Sequence, residues 1–247
     1  MKKSARQKRI KNDHGFSLIE LMVAMVISTI VLAGIYTTYQ TQVGTYVVQK
    51  DVVEMQQNIR NAMYYMQRSV RMSGLDPQRS GLIGFVTNFD APYNTLGATT
   101  DSTNIAFTTD ANGDGNGVID IGDSELIAYR LNANRLQKLS FDQSAPPAAS
   151  WETVAENIDA LDFVYLDGSD PPVVLAPPLN AAALDQIRSV QITLVVRAGQ
   201  GPSPLTAKTT DNNIYRNQQG TAIFGPAGDK FRRISLTAQA NGRNLGL

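Results

Sequence analysis

Hydrophobic and polar positions divide the chain into three regimes. From Phe16 to Tyr36 nearly every side chain is apolar. The one strongly polar residue is Glu20, while Ser17, Ser28 and Thr29 are able to bond back to their own helix. Such a run, about 21 residues, rises roughly 32 Å as a helix and is long enough to cross a bilayer. Further on, Val48, Val52, Met55, Ile59, Met63, Met66 and Val70 recur at spacings of three and four, with Lys50, Asp51, Glu54, Arg60 and Arg68 between them. That spacing predicts an amphipathic continuation of the same helix, with its methionines filling a core. Ser73-Gly74 and the following Asp76-Pro77 predict its end. A helix from Phe16 to Met72 would be about 85 Å long, and Gly34 and Gly44 are the expected places for it to bend or melt.

After Gly74 the period changes to two. Alternating or β-branched runs at 104–109, 125–131, 135–141, 161–166, 190–197 and 231–239 are separated by Gly, Pro, Asn and Asp clusters, predicting a mainly antiparallel sheet. Asn132-Ala133-Asn134 predicts a hairpin turn, and the proline-bearing stretches 144–150, 167–178 and 198–204 predict surface loops. The expected fold class is α+β, a long N-terminal helix packed through its second half on a mainly antiparallel β-sheet.

Charge orients this plan. Lys2, Lys3, Arg6, Lys8, Arg9 and Lys11 precede the apolar run against Asp13 alone, so the N-terminus stays cytoplasmic and the rest of the chain lies outside. An ordinary secretory signal would close with a small-residue cleavage site on the far side. Here only Ala33-Gly34 stands there, and the helical pattern continues past it. A plain signal anchor explains the span but gives no reason for Gly15-Phe16 or for Glu20. Near the middle of a membrane helix a carboxylate costs about 2.5–3.5 kcal/mol, so Glu20 needs a partner.

The block Gly15-Phe16-Ser17-Leu18-Ile19-Glu20 resembles the prepilin signature of type IV pilins and type II secretion pseudopilins. The resemblance implies that a membrane-bound prepilin peptidase cuts after Gly15, the last leader residue, and methylates the new amine of Phe16. Glu20 becomes the fifth mature residue, where the family keeps a glutamate for assembly. The positive amine is then the partner the carboxylate lacks, either its own, about 6 Å away along the axis, or, as the resemblance implies, that of a neighbouring subunit. The implied plan is a leader at 1–15, a helix at 16–73 (transmembrane at 16–36, amphipathic at 37–73) and a periplasmic or extracellular globular domain at 74–247. The later segments ELIAYRL, ENIDALDFVYLDG, IRSVQITLVVRAG and FRRISLTAQANGRNLGL resemble the PilW group of minor pilins and, more distantly, the J-type pseudopilins of type II secretion.

Composition narrows the chemistry. The leader holds six of the 22 basic residues and one of the 22 acidic, leaving 16 against 21 and a mature chain near −5. No nucleic-acid partner is expected from such a balance; Lys230, Arg232 and Arg233 form a local basic patch that reads better as a solvated strand than as a DNA site. Cysteine is absent, so the disulfide of many major pilins is absent too, and the only histidine, His14, lies in the leader. With no nucleophile elbow, phosphate loop or zinc spacing, no enzyme activity and no required cofactor are expected.

One motif invites a metal. DANGDGNGVIDIGDSE sets Asp110, Asn112 and Asp114 at alternate positions, followed by Asn116, as in loops that hold Ca²⁺. It departs from the helix-flanked calcium loop, since the twelfth position is Ile121 and a strand follows; Asp120, Asp123 or Glu125 would have to complete the shell. Two readings stand: a structural Ca²⁺ loop, or an Asn/Asp/Gly turn bonding its own backbone.

Three function classes follow. The first is a minor type IV pilin, processed by prepilin peptidase and partnered by other minor pilins, the major pilin, the inner-membrane assembly platform and membrane lipid. It would reside in the inner membrane and then in the fibre on the cell surface. The second is a J-type pseudopilin, with the same chemistry and different partners. The third is a membrane-anchored adhesin, for which Glu20 would be dispensable.

Overall fold

The computed structural model describes residues 15–75, 83–87, 99–110, 125–141, 149–198 and 210–242. Helix α1 runs Leu18–Met72 without interruption, so Gly34 and Gly44 are helical and do not melt it. The chain divides into two compact units, one through Tyr46 and one from Val47.

In the second unit the amphipathic stripe is the core. Met55, Ile59, Ala62, Met63, Met66 and Val70 are all buried, while Val48 and Val52 are only partly so. Burying each Met, Ile or Val side chain fully is worth about 1.5–3 kcal/mol. This is what fastens the amphipathic half of the helix to the strands. The stripe packs with Phe85, Ile105, Phe107, Tyr129, Phe163, Tyr165, Ile192 and Leu194 in one cluster. Polar links join in, since Ser69 Oγ and the Tyr129 hydroxyl lie 2.8 Å apart and Asn58 Nδ2 donates to the Glu156 carbonyl at 2.6 Å.

The strands are β1 (Asn104–Thr108), β2 (Leu126–Asn132), β3 (Arg135–Phe141), β4 (Ala149–Glu156), β5 (Ile158–Leu166), β6 (Val174–Leu175), β7 (Ser189–Arg197), β8 (Tyr215–Arg216), β9 (Ala222–Phe224) and β10 (Arg233–Asn241), with a short helix α2 at Ala181–Gln186. They form two four-stranded sheets, β1-β2-β3-β4 and β10-β7-β5-β6, and a β8–β9 ribbon. Every pairing is antiparallel. The α+β, mainly antiparallel expectation therefore holds, but the strands divide into two four-stranded sheets and a ribbon where a single sheet was expected. Tyr165 ties the sheets together, its hydroxyl donating to the carbonyls of Asp101 at 2.8 Å and Asn104 at 3.1 Å.

The expected hairpin closes as a two-residue turn. Asn132 pairs with Arg135, and Ala133 and Asn134 both have positive φ, at 48° and 60°, the conformation that matches strand twist. Strand β4 is not among the expected strands: Ala149 and Ser150 fall at the end of the expected 144–150 loop, and 151–156 belongs to no expected element. Its sequence ASWETVAE follows a mostly exposed edge-strand pattern, so it carries little hydrophobic periodicity. Strand β10 starts two residues later than expected, because Asp229 Oδ1 accepts from the Phe231 amide at 3.1 Å and holds that corner out of the ladder. In β7, Gln191 and Thr193 are as buried as their apolar neighbours because the 210–230 segment covers that face. Gln219 Nε2 donates to Gln191 Oε1 at 2.9 Å, and Asn217 Nδ2 to Asp162 Oδ2 at 2.9 Å. The stretch 199–204 of the third expected loop lies outside the described residues.

Candidate functional site

The described part of the first unit is a helix that is uncovered over its apolar run. Every described residue from Gly15 to Tyr39 is exposed, including Phe16 at 86% and Leu18 at 80%. None of its most apolar 18-residue window is buried, which is the opposite of a core helix. Its polar side chains are kept local: Thr29 Oγ1 donates to the Met25 carbonyl at 2.8 Å, and Thr37 and Thr38 both donate to Gly34. Only lipid or other apolar helices can cover such a surface. Tyr36 and Tyr39 stand where the run meets polar sequence, the usual depth of an aromatic belt.

The residues expected to be processed sit at its start. Gly15, Phe16 and Ser17 precede the helix, and nothing within 4 Å would meet a Cβ on Gly15, so the Gly15-Phe16 bond is open to approach. The Ser17 carbonyl accepts the first helical bond, from Leu21 N at 3.1 Å, which makes Glu20 the third helical residue. There the helix dipole favours a carboxylate by about 0.3–1 kcal/mol. Ser17-Leu18-Ile19-Glu20 also has the spacing of a capping box, a local signal that the membrane argument overlooked. Among the described residues, however, Glu20 makes no side-chain hydrogen bond or ion pair, so the capping role is not taken up.

Of the proposed metal ligands only Asp110 is described. Asn112, Asp114, Asn116, Asp120 and Asp123 lie outside the described residues. Asp110 is 1% exposed at the end of β1, and Glu125, before β2, is buried to the same degree. Among the described residues no group of three acidic, His or Cys side chains is placed to hold a metal.

The basic patch resolves differently from its sequence reading. Lys230 and Arg232 are exposed, but the Arg233 side chain is 2% accessible and faces three carboxylates. It reaches Asp159 at 2.5 Å, Asp211 at 3.1 Å and Asp229 at 2.6 Å, and its guanidinium lies 5.0 Å from the Phe224 ring centre. Arg233 is thus neither a nucleic-acid contact nor a solvated strand cation. It fastens β10 to β5 and to the 211–229 segment. Sequence reading missed it because its three partners lie 4, 22 and 74 positions away.

This cluster has a pH signature. Hydrogen bonds from the Arg233 guanidinium, and next the Phe231 amide, hold the Asp229 carboxyl below its usual value against a smaller opposing effect of burial. A carboxyl depressed in the fold stabilises it above the unfolded pKa, about 3.9, and loses that contribution as pH falls through the lower folded value. Asp229→Asn should therefore lower the melting temperature at pH 7, and the gap to the wild type should close toward pH 3. A gap independent of pH would remove charge from the explanation.

An exposed apolar helix, an open glycyl bond before it and one carboxylate in its first turn, joined to an antiparallel β body, define a type IV pilin-like protein. Residues 10–36 match the prokaryotic N-terminal methylation motif. Residues 49–215 match the family described as prepilin peptidase-dependent protein B, and the chain belongs to that family. No curated protein matches the chain. A type IV-like pilin from Thermus thermophilus is similar in structure, with a TM-score of 0.47 and 11% identity over 78% of this chain and 100% of that one.

Proposed function

We propose that this chain is a minor pilin of the PilW-like kind. Prepilin peptidase cuts it between Gly15 and Phe16 and methylates the Phe16 amine; it then joins a type IV pilus or the complex that primes one. The observation that carries the reading is an entirely exposed apolar helix bearing a single carboxylate in its first turn. An adhesin anchor would need the apolar helix but has no use for Glu20, whereas a subunit that packs among similarly processed helices gains a charge pair from it. The six cations before the helix keep the N-terminus cytoplasmic and place the β body in the periplasm before export. Its partners are the peptidase, membrane lipid, the assembly platform, other minor pilins and the major pilin. Its role is structural, since the mature chain retains neither His nor Cys for catalysis.

Mass spectrometry of the membrane-extracted protein tests this directly. The expected product starts at methylated Phe16 in cells that hold the peptidase, and Gly15→Val should leave the leader attached by crowding the cut bond. A mature N-terminus elsewhere, or an uncut wild-type chain in such cells, overturns the reading.

A further inference from the structure

One flank of α1 stays open where the helix crosses the sheet of β2, β3 and β4. Two cavities, of about 520 and 540 Å³, follow one another along that flank and share Val154 as a lining residue. They form a groove from Glu54 to Met72, about 27 Å along the helix.

The half toward Met72 is apolar and basic. Ile127, Val154 and Met72 line it together with two cations, Arg68 and Lys138, and the hydroxyl-bearing Tyr65 and Ser69. Among the described residues no acidic side chain lines this half, and neither cation forms an ion pair or a side-chain hydrogen bond. Glu152 stands opposite Lys138 in the β3–β4 ladder and still does not bridge to it. Lys138 is half-buried, so it gains more from an anion than a fully solvated lysine would. The half toward Glu54 carries the opposite charge. Glu54 and Glu156 line it, and its one cation, Arg197, already lies 3.4 Å from Asp159. The groove therefore runs from acidic to basic, and an occupant that carries a negative charge is placed by it at the Arg68 end.

Shape and lining select the kind of occupant. Gln57, Asn61 and Asn157 present side-chain amides to the groove, and among the described residues none of the three forms a side-chain hydrogen bond. An amide both donates and accepts, which suits the unmet N–H and C=O groups of an extended chain. A docked helix has already paired those groups and needs an apolar stripe along its whole length, which the Glu54 half does not offer. The groove accommodates about eight extended residues at roughly 3.3 Å each, a longer span than a small ligand covers.

We propose that this groove holds an extended segment of another fibre subunit, with an apolar side chain on Ile127 and Met72 and an adjacent Asp or Glu paired to Arg68 and Lys138. The source of the segment rests on the reading of this chain as a fibre subunit; the chemistry of the groove does not.

The test uses the full chain in cells that hold the prepilin peptidase and assemble fibres. Tyr65→p-benzoylphenylalanine places a photocrosslinker in the groove, and Val174→p-benzoylphenylalanine, exposed on the other sheet, is the control. Mass spectrometry of the crosslinked peptide should find one segment of another subunit that carries an acidic residue next to an apolar one, captured from Tyr65 and not from Val174. Adding Arg68→Glu and Lys138→Glu together should cut that yield about tenfold, while Arg68→Lys with Lys138→Arg should keep most of it. Reversing the captured acid to Lys should restore crosslinking to the doubly reversed chain. If the double reversal does not fold, Arg68→Gln alone, on the exposed flank of α1, should still reduce the yield about threefold. A chain that is cut and methylated at Phe16 but crosslinks only lipid, captures a segment without an acid, or keeps its yield after charge reversal overturns the groove alone. A chain left uncut overturns the pilin reading, and with it the source of the segment.

Discussion

Arg233→Met is expected to lower the stability of the β body by about 3–5 kcal/mol, the usual cost of removing one partner from a buried charge cluster. Two of the carboxylates left behind, Asp159 and Asp211, are 2% and 7% accessible, and neither can regain water without opening the corner between β10 and β5. Arg197 stays 3.4 Å from Asp159, but it cannot reach all three acids in the Arg233 geometry. Methionine keeps most of the volume and the contact with Phe224 and Phe231, so lost packing contributes little. The fluorescence of Trp151, the only tryptophan, follows unfolding of this body in urea. The cause can be separated by a double variant. Adding Asp159→Asn to Arg233→Met should recover part of the loss, since it removes one orphaned charge, while the same change in the wild type should destabilise. A cost below about 1 kcal/mol for Arg233→Met would mean that water screens the cluster as it screens surface pairs.

What the sequence made legible and what it hid follow from the range of the interactions involved. The stripe from Met55 to Val70 and the alternation in β5 are local patterns of burial, and the fold places them where the periodicity pointed, while β7 is buried on both faces. The N-terminal methylation motif was legible for the same reason, because Gly15, Phe16 and Glu20 lie within six positions of one another at the edge of one apolar run. Strand β4 has no such signature, since an edge strand buries little and is held by its ladder to β3. The Arg233 cluster was hidden because a cation directly after another reads as solvated until distant acids close around it. Spacing alone singled out Asp110, whereas its burial beside the C-terminal end of α1 is a tertiary fact.

Glu20→Val should separate insertion from assembly. The unsubstituted helix carries a carboxylate that nothing in its own fold satisfies, amid side chains all facing outward. In lipid alone that carboxylate is a cost, so valine should leave the membrane-bound fraction unchanged or higher. Within the bundle proposed above the balance would reverse, because a neighbour's methylated Phe16 amine would bring a positive charge into the same apolar layer and need Glu20 as much as Glu20 needs it. If the pair contributes 2–3 kcal/mol, its loss cuts incorporation by about 30- to 150-fold. Glu20→Gln, which keeps the shape and loses the charge, should fall nearly as far, and Glu20→Asp, shorter by one methylene, should fall less. The quantities to compare are the amount of this chain in sheared surface fibres, the number of fibres per cell and the co-purification of partner pilins, each normalised to membrane-inserted protein. A capping role alone costs about 1 kcal/mol or less at this position and would reduce none of them tenfold. Unchanged values in all three assays would leave the helix as an anchor and return the chain to the adhesin class.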